Sequence, residues 1–271
     1  MKQTQVCIVG GGCVGLTLAL GLAKANISVV VLDAASTQAP PTDEYGLRVS
    51  ALSIASQTLL EQLNIWPEII AQRACAYTHM DVRDADSFGK ITFNNKQLEL
   101  DHLGHIVEND IIRFALIKQL EQQSNATLMF DTEYQQIHQS ESDVFVTLKS
   151  GEPIIAKLLV AADGANSAIR KQFNMALTFK DYDHHALVAT VKTKEPHANT
   201  ARQVFLPTGP LAFLPLSDDN THSIVWSTSP HHCDELLAMD DNDFNKAVMA
   251  AIDGQCGLCE VQSKRAAFPL K

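Results

Sequence analysis

No stretch of the chain approaches the roughly 18 consecutive apolar residues that a bilayer-spanning helix needs, which excludes a spanning helix but not a visit to a membrane surface. Basic residues are scarce. Lys and Arg number 21 against 31 Asp and Glu, a formal net charge of -10, which argues against a general nucleic-acid-binding surface. A G-x-S-x-G nucleophile elbow and a P-loop are both absent. Neither an internal repeat nor a low-complexity segment is visible. The opening residues lack a signal-peptide pattern, so the six cysteines, at 7, 13, 75, 233, 256 and 259, are expected as reduced, mostly buried thiols. Cys256-Gly-Leu-Cys259 has redox or half-zinc spacing, but no second CxxC or spaced histidine pair completes a metal site, and incidental thiols are expected.

What is present is ordinary globular composition, 46% hydrophobic and 19% charged over 271 residues, enough for one large domain or two smaller ones. Val6 to Val9 reads as a buried parallel strand that glycines 10 to 12 stop abruptly. Val14 to Ala25 reads as a helix, and Ser28 to Leu32, rich in β-branched residues, as a second strand. Gly10, Gly12 and Gly15 form G-x-G-x-x-G between that strand and that helix. The first glycine permits the tight turn, the second lets a pyrophosphate approach the backbone, and the third lets helix and strand pack closely. Asp33, at the end of the second strand, can accept hydrogen bonds from ribose hydroxyls, and its charge would repel a 2′-phosphate. A solvated strand-end acid remains the alternative for Asp33. The unit predicts a dinucleotide site, with FAD favoured over NAD.

Beyond a polar loop at 36–47, the spacing predicts a helix over 50–63, with Arg48 at its start, and a short helix opened by Pro67. An arginine there can pair with phosphate or simply be solvated. Short strands are expected at 77–83 and 90–93, a helix at 110–122, and strands at 127–130, 143–149 and 154–161. The last ends at Asp163-Gly164, where a ligand site at the carboxyl ends of parallel strands and a self-bonded turn are both open readings. Further strands are expected at 186–192, 202–206, 211–216 and 221–227, then a polar helix between Cys233 and Ile252. His184-His185 and His231-His232-Cys233 are expected as polar turns, not metal ligands.

The chain resembles the flavoprotein aromatic monooxygenases of the para-hydroxybenzoate hydroxylase fold, and within them the ubiquinone-biosynthesis hydroxylases. The resemblance rests on VCIVGGGCVGLTLALGLAKANISVVVLD (6–33), GLRVSALS (46–53), HIVENDIIRFAL (105–116) and LLVAADGANSAIR (158–170). GPLAFLPL (209–216) and AAFPLK (266–271) are similar to the ubiquinone branch in particular. It implies an α/β fold with α+β character, a Rossmann-like FAD-binding domain interleaved with a strand-rich substrate domain. The implied division is 1–74 for the first part of the FAD-binding domain, 75–104 for a substrate-domain excursion, 105–172 for the second FAD-binding part, and 173–271 for mainly substrate domain. Gly10, Gly12 and Gly15 would line the FAD pyrophosphate and Asp33 would hold the adenosine ribose, where glutamate is commoner. Arg48 would contact the phosphate or ribitol region, and Asn109 would lie on the flavin side. Asp163 and Gly164 match a DG motif that borders FAD, with Ala161 where the family often has glycine.

The activity implied is hydroxylation of a polyprenylated phenol through a flavin hydroperoxide, with NADH or NADPH as transient reductant; no catalytic side chain and no metal is expected. The apolar substrate implies peripheral contact with the inner membrane, or other proteins of the ubiquinone pathway, for an otherwise cytoplasmic protein. In the family the FPL segment leads to a strand and a GD motif that contacts the ribitol. Ending at Lys271, the chain is expected to be truncated before that segment, short of its C-terminal third, and so to hold FAD weakly; the implied activity is that of the intact protein, with inactivity among the outcomes expected of the truncated chain. An FAD-dependent oxidoreductase of another substrate class and a cofactor-free interaction fragment remain the alternatives.

Overall fold

The computed structural model describes residues 2–37 and 39–270. Gln38, inside the expected polar loop, and Lys271, at the expected truncation, lie outside the described residues. The chain folds into two compact units. The first takes residues 1–41, 59–69 and 110–177, the second 42–58, 70–109 and 178–271, so the chain leaves and re-enters each unit. Residues 42–58 thus fold with the second unit, whereas 1–74 were expected together as one part of a cofactor domain. The architecture is mixed α/β, as expected.

The first unit opens with strand β1 (Lys2–Val9), helix α1 (Cys13–Lys24) and strand β2 (Val29–Leu32). Its six-stranded sheet runs Ala126–Met129, β2, β1, Pro153–Ala161, Val144–Leu148, Tyr134–Gln139. The first four strands are mutually parallel, and the last two extend the sheet antiparallel. Register places the site: Val9 pairs with both Leu32 and Ala161, and Leu32 with Met129, so the parallel strands end level. Gly10, Asp33 and Ala162-Asp163 therefore leave one carboxyl edge together, where open α/β sheets bind ligands. Cys7, Val9, Val30, Leu32, Val146 and Ile154 of this sheet share one buried cluster with Ile169 from the short helix Ala168–Gln172.

In the second unit an eight-stranded sheet runs Cys259–Val261, His184–Thr193, Thr221–Thr228, Gly209–Pro215, Thr200–Leu206, His79–Asp84, Lys90–Asn94, with Ala266–Leu270 also paired to His184–Thr193. Leu187, Phe213, Ile224 and Trp226 on one face pack with Leu236, Phe244 and Val248 from two helices, Pro230–Ala238 and Asp241–Ala251. A separate three-stranded sheet joins Val49–Leu52, Gly104–Glu108 and Cys75–Tyr77.

Several expectations are corrected. Residues 49–52 form a strand, and the helix begins only at Ile54, because Val49 to Leu52 pair with Glu108 to His105, and long-range pairing overrides local propensity. The expected helix between 233 and 252 is two helices. Asp240 breaks it, its carboxylate accepting the Asp243 N–H at 2.8 Å as a cap. His184 and His185 lie in a strand and His231 and His232 in a helix, not in turns. His232 packs edge-on against Trp226.

Candidate functional site

The glycine loop is shaped by contacts a side chain would break. Gly10 has φ +116°, and a Cβ there would lie 2.1 Å from the Ala162 carbonyl oxygen. At Gly15 a Cβ would lie 2.0 Å from the Gly10 carbonyl oxygen, inside the packing of α1 on the loop. Gly12 is different, since a Cβ would meet nothing within 4 Å. Its bareness leaves room for a ligand. Gly12 is also the N-cap of α1, with no side-chain cap and no acid in the first turn, so the helix presents its amides and positive dipole end without internal competition.

Asp33 is tied into this loop. Its Oδ2 accepts the Gly11 N–H at 2.6 Å and its Oδ1 accepts the Ala35 N–H at 2.9 Å. Each oxygen keeps acceptor capacity for a ligand hydroxyl. At Gly11 a Cβ would come within 2.5 Å of Asp33 Oδ2, so a side chain there would have to displace the carboxylate.

Asp163 closes the local turn with one of its oxygens. Its Oδ2 accepts the Ala168 and Ile169 N–H groups at 2.9 and 3.3 Å. Its Oδ1 is buried without a partner. An orphaned carboxylate oxygen invites a donor. Gly164 has φ +82°, a conformation glycine adopts without strain. Burial first, and the Asp163 carboxylate second, push the Tyr134 phenol above its usual pKa. Gly10, Gly12, Asp33, Asp163 and Gly164 line one cleft of about 600 Å³, with Tyr134 on its wall.

These features fit a dinucleotide. A bare helix N-terminus suits a pyrophosphate, and a strand-end carboxylate suits a ribose.

Arg48 and Asn109 belong to the second unit. Arg48 is exposed and precedes the Val49–Leu52 strand instead of opening a helix, and its guanidinium lies 5.5 Å from the Phe268 ring centroid. The Asn109 N–H donates to the Arg48 carbonyl at 2.9 Å, and the Ser50 hydroxyl donates to Asn109 Oδ1 at 2.6 Å.

Two arginines went unread in the sequence. In the first unit, Arg113 Nε donates to the Gly11 carbonyl at 2.8 Å while Nη2 stands 3.9 Å from Asp33 Oδ2. In the second unit, Arg73 makes a two-pronged pair with Glu108, both bonds 2.9 Å, and donates to the Thr42 and Glu44 carbonyls. Glu108, almost fully buried, also accepts the Gly46 N–H and pulls the Arg73 pKa up. No local motif announces either residue. Burial pushes the thiols of Cys256 and Cys259 up, Cys259 to about 12, and both pack in the core of the second unit.

A family model described as FAD binding domain matches residues 3–268. The chain is 39% identical over 263 residues to the mitochondrial ubiquinone biosynthesis monooxygenase COQ6 of Danio rerio, covering 91% of this chain and 54% of that protein. It is 34% identical over 240 residues to the 3-demethoxyubiquinol 3-hydroxylase of Escherichia coli, covering 88% of this chain and 61% of that protein. The chain thus spans little more than half the length of these curated relatives. Among solved structures, that of Pseudomonas aeruginosa PqsL in complex with 2-aminobenzoylacetate superposes with a TM-score of 0.81 at 18% identity, over 99% of this chain and 74% of that one, a likeness of fold.

Proposed function

The chain belongs to the FAD-binding domain family, and from that membership we propose that the protein is an FAD-dependent monooxygenase that hydroxylates a polyprenylated phenol in ubiquinone biosynthesis, with NADH or NADPH as reductant. The cleft at the carboxyl edge of the first sheet carries the reading, because it combines a bare glycine at an uncapped helix N-terminus, an acid at the next strand end and an orphaned carboxylate oxygen.

In this assignment the α1 amides and Gly10, Gly12 and Gly15 receive the pyrophosphate, and Asp33 accepts the adenosine ribose hydroxyls. Asp163 Oδ1 accepts a hydrogen bond from the cofactor or from a bridging water, with Gly164 beside it. Arg48 is assigned to the phosphate or ribitol region and Asn109 to the flavin side. Bound FAD supplies hydride acceptance and oxygen activation, chemistry that amino-acid side chains lack. The chain's task is accordingly to bind, orient and exclude water, and no side chain is assigned as acid or base. Among the described residues no helix is long and apolar enough to cross a membrane. Access to the apolar phenol is assigned to transient contact with the inner membrane surface from the cytoplasm, or to hand-over from another protein of the pathway.

The test is titration of the protein, carried on to the full length of its curated relatives, with FAD, followed by NADH or NADPH and a prenylated phenol under air. The reading predicts a bound-flavin spectrum and a product heavier by one oxygen atom. A protein that leaves FAD free, or that binds it and never oxygenates a prenylated phenol, overturns it.

A further inference from the structure

We infer that Arg113 is a positioning residue for the adenosine end of the site, acting through the Gly11 peptide and Asp33 together. The inference rests on the dinucleotide reading of the cleft and adds to it a residue that belongs to no glycine or acid motif.

Arg113 sits one turn into the Asn109–Leu120 helix and is largely buried. Its Nε donates to the Gly11 carbonyl at 2.8 Å, its Nη2 lies 3.9 Å from Asp33 Oδ2 and 3.5 Å from the Ser36 carbonyl, and its guanidinium lies over the Phe130 ring at 5.2 Å. Gly11 is therefore gripped at both polar groups, its N–H by Asp33 and its C=O by Arg113. A trans peptide is planar, with C=O and N–H pointing in opposite directions, so fixing the Gly11 carbonyl fixes the following N–H, that of Gly12, facing away from Arg113. Gly12 is the residue whose bare face opens on the cleft. One side chain thus sets both a phosphate-facing donor and the carboxylate that meets the ribose. Its charge also offsets that of Asp33 at a site that must accept a pyrophosphate.

A lysine cannot reproduce this. Its single ammonium cannot serve the Gly11 carbonyl and Asp33 in the planar, forked arrangement of a guanidinium.

The experiment measures the affinity of the purified chain for ADP, 2′-deoxy-ADP and FAD by calorimetry, in the wild type, Arg113→Met, Arg113→Lys, Asp33→Asn and the Arg113→Met/Asp33→Asn double variant, with far-UV circular dichroism to establish folding. The wild type is expected to prefer ADP over 2′-deoxy-ADP. Arg113→Met is expected to weaken ADP and FAD at least tenfold and to abolish that preference, with Arg113→Lys close behind and the double variant no weaker than the worse single one. A merely structural arginine would weaken ADP and 2′-deoxy-ADP by the same factor and add independently to Asp33→Asn; either result overturns the inference. A folded Arg113→Met that binds all three ligands like the wild type also overturns it, while leaving the functional reading intact. A wild-type chain that takes up neither ADP nor FAD overturns the inference, and a protein of its relatives' full length that also leaves FAD free overturns the functional reading. If Arg113→Met does not fold, the ADP preference of Arg113→Lys decides: a retained preference refutes the inference and a lost one supports it.

Discussion

Gly12→Val separates the ligand-binding role of the glycine loop from its structural role. At Gly12 a Cβ meets nothing within 4 Å, and the backbone, φ -78° and ψ 177°, is extended conformation open to any residue. Glycine is only a moderate N-cap and valine a poor one, so the apo protein should lose no more than about 1 kcal/mol. The ligand loses more. A branched side chain in the open space holds a pyrophosphate away from the α1 amides, and losing two charge-assisted hydrogen bonds at about 1.5–3 kcal/mol each weakens FAD or ADP by roughly two to four orders of magnitude. Gly15→Ala provides the contrast. Its Cβ would stand 2.0 Å from the Gly10 carbonyl oxygen, and relief requires α1 to move off the loop, destabilising the apo fold by about 1–3 kcal/mol or more. Thermal unfolding of the apo variants, paired with FAD titration followed by flavin fluorescence, reads both quantities. If Gly12→Val binds FAD like the wild type, or unfolds as readily as Gly15→Ala, the steric reasoning is wrong.

Three further outcomes follow from the second unit and the thiols. Glu108→Ala strands a largely buried guanidinium and frees the Gly46 N–H, and should lower stability in urea by about 3 kcal/mol; a loss under about 1 kcal/mol would show the pair to be peripheral. His222 is fully buried, and burial first, then His197 and Arg202, lowers its pKa to about 3. Its folded pKa lies below the unfolded value of about 6.5, so its contribution is complete above that value and is lost as the pH falls toward 3. Between about pH 7.5 and pH 5 this single group should remove roughly 2 kcal/mol of stability, a slope that His222→Gln flattens. An unchanged slope in that variant would contradict the assignment. Cys7 and Cys259, both pushed up to about 12 by burial, and Cys75, pushed up to about 11, should resist a thiol reagent at mildly alkaline pH until the protein unfolds, whereas half-buried Cys13 should react first. Fast labelling of Cys7 in the native protein would count against the burial argument.

How much was legible depended on how local the determining interaction is. The β1–α1–β2 unit follows from a β-branched run, a glycine stop and a helical period, all within about thirty residues. The place of Asp33 at a strand end is legible for the same reason: position along the second strand suffices. The strand at Val49–Leu52 was misread as helix because its partner, Glu108 to His105, lies far along the chain, and apolar residues at 52, 54, 59, 60 and 63 mimic one continuous helical stripe. Tyr134–Gln139 escaped notice because only Ile137 of its six residues is buried, so no alternation stands out. Arg113 escaped because its grip on Gly11 spans 102 residues of sequence, a distance over which spacing says nothing. Asp163 was placed by its motif, but that one oxygen is bonded locally and the other is orphaned is visible only in three dimensions.

Everything proposed for this protein depends on the cleft at the carboxyl edge of the first sheet holding the ADP half of FAD. A crystal structure of the chain grown with FAD decides the matter. Pyrophosphate density is expected against Gly12 and the first amides of α1, with ribose hydroxyls on Asp33 and a donor or bridging water on Asp163 Oδ1. Well-ordered FAD elsewhere on the protein, with this cleft left to solvent, would contradict the assignment.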